Sequence, residues 1–135
     1  MSSFHLEILT PYGHYFNGDV EYLEVRNPDG VLGILSHHTP IVTPVVLGKV
    51  VVKIKGRRHA YATTGGLLNM KNDNSCSLML QTIERSDEID VERAKKSLER
   101  AKKRLADHKE NLNVKRAEDA MKRAENRINV ANDKE

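Results

Sequence analysis

The chain has 135 residues, a formal net charge of +3 and no tryptophan, which fits one compact domain or a small domain with an appendage. Residues 1–87 carry eight basic and eight acidic side chains, whereas residues 88–135 carry fourteen and eleven, interspersed. This mixed charge and the scarcity of aromatic residues argue against a nucleic-acid-binding protein. No apolar run approaches the roughly twenty residues that span a bilayer, so no direct membrane insertion is expected.

Residues 1–86 are predicted to form a domain of short β-strands. Apolar and polar residues alternate from Phe4 to Ile8, which is the pattern of a half-buried strand. Turn-forming residues then recur about every ten positions, and Pro44 marks an edge strand or a bulge. No helical stretch separates the strands, so an antiparallel β-sandwich or a barrel is favoured over an α/β sheet. The predicted strands span about 4–8, 19–26, 31–35, 40–47, 50–55, 57–63, 67–71 and 77–83.

Residues 87–135 are predicted to form a two-helix antiparallel hairpin. They contain no glycine or proline, and apolar residues recur at spacings of three and four on both sides of the polar stretch 107–111. Asn113 is a suitable N-cap for the second helix. The narrow apolar stripe is rich in alanine, so the hairpin needs the β-domain, a ligand or a partner for stability. The same residues permit one continuous helix over 90–131, about 60 Å long.

The sequence carries none of the common catalytic or phosphate-loop motifs, and its six histidines have no metal-ligand spacing. We therefore predict no catalytic site and no metal site. The pair Gly65-Gly66 favours a strand bend over a phosphate loop. The single Cys76 is predicted to be a buried strand residue and fits a reducing compartment. The N-terminus has no signal-peptide pattern, so a cytoplasmic location is expected.

The segment Ile89-Asp90-Val91-Glu92-Arg93-Ala94 stands where the two halves meet. Asp90 can cap the first helix, or it can help to hold an anionic ligand at the helix N-terminus. Arginines seven or four residues apart share a face on each helix, and folding the hairpin would bring these faces together. Converging guanidiniums suit a polyphosphate, although a solvated helix surface explains the same pattern. These arginines are Arg93, Arg100, Arg123 and Arg127.

The run from Gly30 to Pro40 and the turn Gly65-Gly66-Leu67 resemble the epsilon subunit of bacterial F-type ATP synthases, and the likeness covers nearly the whole chain. Ser36 and His37 stand where that family usually has Pro-Gly. The resemblance implies a non-catalytic subunit whose sandwich binds the gamma subunit and the c-ring. It also implies a mobile hairpin that extends into the alpha/beta catalytic hexamer and blocks ATP hydrolysis. The protein would then lie at the cytoplasmic face of the bacterial membrane, as a peripheral part of the synthase.

The sequence Ile89-Asp90-x-x-Arg93-Ala94 is similar to the ATP-binding motif of bacillus-type epsilon subunits. By position, Asp90 and Arg93 form the core of the implied site, with Ile89 and Ala94 beside the adenine or ribose. ATP would act as a regulatory ligand, and no protein ligands are predicted for an accompanying Mg²⁺. Two alternatives stay open, a purely structural coupling subunit with a vestigial nucleotide motif and a nucleic-acid-binding adaptor. The other implied ATP-binding residues are Glu84, Arg100, Arg123 and Arg127.

Overall fold

The structure is a computed structural model that describes residues 2–107 and 111–133. Ten β-strands come first and two α-helices follow, so the predicted order of the two halves is confirmed. The strands are β1 Phe4–Thr10, β2 Gly13–Val20, β3 Tyr22–Asn27, β4 Gly30–Leu35, β5 Ile41–Val45, β6 Gly48–Ile54, β7 Arg57–Thr63, β8 Gly66–Met70, β9 Ser75–Leu80 and β10 Glu84–Arg85. The helices are α1 Val91–Asp107 and α2 Asn111–Ala131, and a 3₁₀ turn at Ser86–Glu88 precedes α1.

The strands form two five-stranded sheets. The first sheet has the order β2-β1-β9-β8-β5 and the second the order β10-β7-β6-β3-β4. The described strands pair antiparallel except for β1 and β9, which run parallel. β5, which contains Pro44, lies at an edge of the first sheet, because proline has no N–H to offer a second neighbour. The predicted antiparallel sandwich is confirmed, with one parallel pair added.

Two strands were not predicted from the sequence. The predicted strand 19–26 consists of the end of β2 and most of β3, which are separated at Glu21. β2 lies at a sheet edge and most of its residues are exposed, so it lacks the apolar alternation that indicates a strand. β10 has only two residues, and these pair with Tyr61 and Ala62 of β7. This short strand places Glu84 beside the hairpin.

The apolar core lies between the two sheets. Leu6 and Leu68 of the first sheet and Leu23 and Ile34 of the second are fully buried. Cys76 on β9 is also buried, as predicted, and burial raises the pKa of its thiol to about 12. The described members of this core cluster all precede β10 in the chain, so the sandwich core does not depend on the hairpin.

The pair Gly65-Gly66 lies where β8 begins and the backbone packs closely. Gly65 has a φ of +122°, and a Cβ added there would lie 2.7 Å from the carbonyl oxygen of Val45. A Cβ on Gly66 would lie 1.8 Å from the carbonyl oxygen of Met79. Close packing of the backbone thus accounts for both glycines, in agreement with the strand-bend interpretation.

The turn at Ser36-His37 is held by hydrogen bonds from the side chain of Asn74. His37 has a φ of +62°, in the left-handed region that disfavours side chains with a Cβ. Its backbone N–H donates to Oδ1 of Asn74 at 2.6 Å, and Nδ2 of Asn74 donates to the carbonyl oxygen of Ser3 at 3.0 Å. These hydrogen bonds hold His37 in the left-handed conformation and fix the turn.

The two helices pack against each other along a seam of alanines. Alanines seven residues apart on each helix are buried, and their small side chains allow the helix backbones to approach closely. α2 already includes Asn113, so the prediction that this residue is its N-cap was wrong. Most of the predicted polar turn, residues 108–110, lies outside the described residues. The seam alanines are Ala94, Ala101, Ala117 and Ala124.

The hairpin packs on the outer face of the second sheet. A small apolar cluster joins Ala62 of β7, Ile89 before α1 and Val130 of α2. Nδ2 of Asn126 donates to the carbonyl oxygen of Gly48 at 2.9 Å. Neither helix, in the part of the chain that the structure describes, is long and apolar enough to cross a membrane.

Asp133, just after the end of α2, forms ion pairs with two basic residues of the sandwich. The carboxylate of Asp133 binds Nζ of Lys49 at 2.7 Å and accepts hydrogen bonds from both terminal nitrogens of Arg58. Only 12% of the Asp133 side chain is exposed. Hydrogen bonds from Arg58 and Lys49 lower the pKa of Asp133 from its ordinary value to about 2, despite the opposing effect of burial. The carboxylate therefore stays ionised near neutral pH.

Candidate functional site

A cleft of about 700 Å³ lies between the sandwich and the hairpin. This volume falls within the range of pockets that bind small molecules and cofactors. One wall comes from the ends of β7 and β10 and from the loops around them, and the other comes from α1 and α2. The lining residues are Leu47, Ala62, Thr63, Thr64, Thr82, Ile83, Glu84, Glu88, Arg93, Ser97, Ala120, Arg123, Ala124, Asn126 and Arg127.

Four of the eight residues predicted to bind ATP line this cleft, namely Glu84, Arg93, Arg123 and Arg127. Arg93 lies on the first turn of α1, while Arg123 and Arg127 lie one helical turn apart on α2. Their convergence follows from the antiparallel hairpin, which places the end of α2 beside the start of α1. Arg93, Arg123 and Arg127 thus meet at this cleft, as the helical spacing predicts.

Glu84 and Arg127 bind each other across the cleft. Nε and Nη2 of Arg127 donate to the two carboxylate oxygens of Glu84 at 2.9 and 3.0 Å. This hydrogen bonding raises the pKa of Arg127, and the charge of Asp90 acts in the same direction. A guanidinium has five N–H donors, of which Glu84 occupies two, so Arg127 can still donate to another ligand.

The other two arginines of the cleft are available to a ligand. Among the described residues, neither Arg93 nor Arg123 forms an ion pair, and both are exposed. The nearby carboxylate of Glu88 is engaged with Nε of Arg85 at 2.7 Å. The cleft therefore presents two uncommitted positive charges and the free donors of Arg127, an arrangement that suits phosphate groups.

Asp90 caps α1. Its Oδ1 accepts a hydrogen bond from the backbone N–H of Arg93 at 3.0 Å, and its carbonyl oxygen accepts one from the N–H of Ala94 at 3.0 Å. Of the two interpretations offered by the sequence, helix capping is observed directly. The cap also fixes the first turn of α1, and this turn carries Arg93 into the cleft.

Ile89 and Ala94 have packing roles in this conformation. Ile89 is 8% exposed and contacts the apolar cluster under the hairpin, while Ala94 is fully buried in the helix seam. Neither lines the cleft, and Asp90 does not line it either. A role for these three residues in contacting a nucleotide stays a prediction from the resemblance.

Arg100 lies away from the cleft, on an exposed groove of α1 shared with Glu92, Lys95, Lys96 and Glu99. A spacing of seven residues keeps Arg100 on nearly the same side of the helix as Arg93. It also moves Arg100 about 10 Å along the helix axis. The shared face of the helix predicted Arg100 at the cleft, and this displacement along the axis places it elsewhere.

Three threonines on the sandwich wall were not predicted. Thr63 Oγ1 donates to the carbonyl oxygen of Thr82 at 2.6 Å and accepts from the N–H of Gly65 at 3.1 Å. Oγ1 of Thr82 accepts from the N–H of Thr64 at 3.1 Å and lies 2.8 Å from Oγ1 of Thr64. Residues 63–64 and 82 are far apart in the chain, so no local motif could have indicated this cluster.

Two family models match the sandwich and the helical part of the chain separately. The model of the ATP synthase delta/epsilon chain β-sandwich domain matches residues 3–86. The model of the delta/epsilon chain long α-helix domain matches residues 87–132.

Sequence comparisons lead to the same family over the full length. The chain is 37% identical over 134 residues to the ATP synthase epsilon chain of Ruminococcus albus, which covers 99% of this chain and 100% of the relative. It is 40% identical over 97 residues to the epsilon chain of Bacillus pumilus, covering 72% of this chain and 73% of that relative. The chain belongs to the ATP synthase epsilon chain family.

Solved structures with low sequence identity share the fold. A chain of the Euglena gracilis mitochondrial ATP synthase, from a structure of OSCP, F1 and the c-ring, superposes with a TM-score of 0.84 at 20% identity. This match covers 93% of the present chain and 79% of the other. A chain from the central stalk and c-ring of the Tetrahymena thermophila enzyme gives a TM-score of 0.65 at 15% identity, covering 94% and 95%.

Proposed function

We propose that this chain is a non-catalytic regulator of an ATP synthase and that ATP binds, without hydrolysis, in the cleft between sandwich and hairpin. The observation that carries the proposal is the convergence of Arg93, Arg123 and Arg127 on one cleft, with two of the guanidiniums uncommitted. A guanidinium binds phosphate oxygens in pairs through its planar fork, so this cluster suits a polyphosphate.

The bound nucleotide holds the hairpin in the docked state. The three arginines belong to the hairpin, whereas Glu84 belongs to the last strand of the sandwich. Glu84 is suited to accept hydrogen bonds from the ribose hydroxyls, and the arginines are suited to the phosphates. Mg²⁺, when it accompanies the nucleotide, would be held by phosphates and water and not by protein ligands.

The size of the effect is sufficient for a switch. A ligand at a thousand times its dissociation constant stabilises the state that binds it by about 4 kcal/mol. This falls short of the roughly 5.5 kcal/mol that moves two states from 1:99 to 99:1. If docked and undocked hairpins are equally populated without ligand, however, about 4 kcal/mol gives a ratio of about 1000 to 1 in favour of the docked state. When ATP is scarce, the helices leave the sandwich.

The partners follow from the family. The sandwich binds the gamma subunit and the c-ring, and the released hairpin reaches the alpha/beta hexamer and inhibits ATP hydrolysis. The chain then acts at the cytoplasmic face of the bacterial membrane as a peripheral part of the synthase. Basic residues on α1, such as Lys102, Lys103 and Arg104, are exposed and can meet acidic surfaces of the hexamer.

Equilibrium dialysis of the full chain against ATP tests the binding step. We expect saturable binding by the wild type and a loss of at least 100-fold in the double variant Arg93→Ala, Arg123→Ala, because two charge-assisted contacts are removed. The double variant Arg104→Ala, Lys122→Ala is the matched control, since it removes the same charge from exposed positions outside the cleft. Equal binding by both double variants would refute the proposed site.

A purely structural coupling subunit is the alternative within the same family. In that case, truncation of the chain after Asp87 would leave the ATPase activity of the assembled synthase unchanged. We expect instead that the truncation raises ATP hydrolysis at low ATP concentration, where the hairpin is released. Nucleic-acid binding with a steep salt dependence would point to the remaining alternative, an adaptor with a basic helical arm.

A further inference from the structure

The hydroxyl pair of Thr64 and Thr82 lies on the sandwich wall of the cleft, opposite the arginines of the hairpin. Both side chains are exposed and line the cleft. Their Oγ1 atoms are 2.8 Å apart, so one hydroxyl donates to the other. The buried Thr63 fixes this arrangement. Its hydroxyl donates to the carbonyl oxygen of Thr82 and accepts from the N–H of Gly65.

The pair of threonine hydroxyls has one hydrogen-bond donor that is not used among the described residues. The two hydroxyls have two hydrogens, and only one of them is used between the oxygens. Oγ1 of Thr82 accepts from the backbone N–H of Thr64 at 3.1 Å and gives up no hydrogen in that contact. Within the described residues the second hydroxyl hydrogen has no acceptor, whichever threonine carries it.

A ligand that favours the docked hairpin must contact the sandwich as well as the hairpin. A ligand held only by the hairpin would bind docked and undocked hairpins equally, so it would not change the equilibrium between these two states. Glu84 and Glu88 line the cleft on this side, and although Glu84 is suited to the ribose hydroxyls, the negative charge of both residues repels phosphate. A neutral donor on the same wall is suited to hold the anionic oxygens that these carboxylates repel.

We propose that Thr64 and Thr82 form the sandwich half of the nucleotide site, where their spare hydroxyl hydrogen is donated to an oxygen of the sugar–phosphate part of the nucleotide. This inference rests on the proposed function and adds two specificity residues to it. The nucleotide then joins the arginines of the hairpin to the threonines of the sandwich. Together with the contact of Glu84, that bridge is the differential contact by which ATP selects the docked state.

The test compares ATP affinities of full-length variants by isothermal titration calorimetry. Thr64→Val combined with Thr82→Val removes both hydroxyls at nearly constant shape, and we expect binding to be about three- to tenfold weaker. Thr64→Ser combined with Thr82→Ser keeps the hydroxyls and should bind like the wild type. Thr39→Val is the remote control, because Thr39 is exposed in a loop outside the cleft.

A single substitution distinguishes the loss of a ligand contact from misfolding of the double variant. Thr64→Val leaves the backbone N–H of residue 64 bonded to Thr82, so its fold should be retained, as checked by circular dichroism and thermal unfolding. It should still weaken ATP binding about threefold. Wild-type affinity in a folded Thr64→Val, Thr82→Val protein overturns this inference alone. Failure of the wild type to bind ATP overturns the proposed function instead.

A second measurement separates a ligand contact from a structural role. Hydrogen exchange of α2 should slow when saturating ATP is added to the wild type, because the bridge closes the hairpin on the sandwich. In the Thr64→Val, Thr82→Val protein, saturating ATP should slow this exchange less. Equal protection of α2 in the two saturated proteins contradicts the bridge.

Discussion

The β-sandwich and the helical hairpin differ in what holds them together. The sandwich core contains large branched side chains that are fully buried between two sheets. The hairpin buries alanines in its seam, and each alanine removes far less apolar area from water than a leucine does. The sandwich is therefore stable by its own packing, whereas the hairpin depends on what it docks against.

The contacts at the docking surface are mostly polar and can be exchanged for others. Asn126 binds the backbone of Gly48, Arg127 binds Glu84, and Asp133 binds Lys49. Each such contact contributes only about 1–2 kcal/mol of net free energy, because water replaces it when the hairpin leaves. A rigid platform with a weakly held arm is the arrangement that a small ligand can control.

The largest effect is expected in the sandwich. Leu68→Ala should lower the free energy of unfolding by about 2–5 kcal/mol, because Leu68 is fully buried and its truncation leaves a cavity. Leu98→Ala on α1 should cost only about 1 kcal/mol, since Leu98 is half-buried. Urea unfolding of both variants measures the difference. Equal costs would show that the two regions are packed alike.

Overpacking the helix seam should affect the hairpin alone. Ala94→Leu places three more carbons where no space exists and should destabilise the hairpin by about 1–3 kcal/mol. Amide exchange should then speed up in α1 and α2 while the sandwich amides keep their protection. Lys95→Leu, at the neighbouring exposed position, is the control and should change neither region.

The ion pairs of Asp133 predict a dependence of docking on pH. The pKa of Asp133 is about 2 in the folded protein against an ordinary value of 3.8, so its contribution is complete above about pH 4. It is lost as the pH falls from about 4 to about 2. Asp133→Asn should weaken docking by about 1–2 kcal/mol at pH 7 and remove this part of the acid dependence. Hydrogen exchange of α2 at several pH values measures both effects, and an unchanged profile in the variant would contradict them.

The smallest effect concerns the cap of α1. Asp90→Ala should cost about 1 kcal/mol in hairpin stability, because the N–H of Arg93 loses its acceptor. Asp90→Asn keeps an oxygen at the cap and should restore most of that stability. If ATP affinity falls in Asp90→Asn although the helix is intact, Asp90 has a role toward the ligand beyond capping.

The two regions also differed in how well the sequence predicted them. Strands with alternating burial, such as β1, were found, whereas the exposed edge strand β2 and the two-residue β10 were not. Helix periodicity found the arginines of the cleft, because residues on one helix are related by a fixed geometry. The pairing of Glu84 with Arg127 and the contact of Thr64 with Thr82 join distant parts of the chain. Such contacts depend on the fold and leave no local pattern.

The connection between the sandwich and α1 limits how the hairpin can open. The residues from Ser86 to Asp90 link β10 to the first turn of α1, and five residues reach at most about 17 Å when fully extended. The start of α1 therefore stays close to the sandwich in every state. An undocked hairpin remains tethered at high effective concentration, so it can dock again without a search through solution. The far end of the arm, beyond α1, covers the greatest distance during opening.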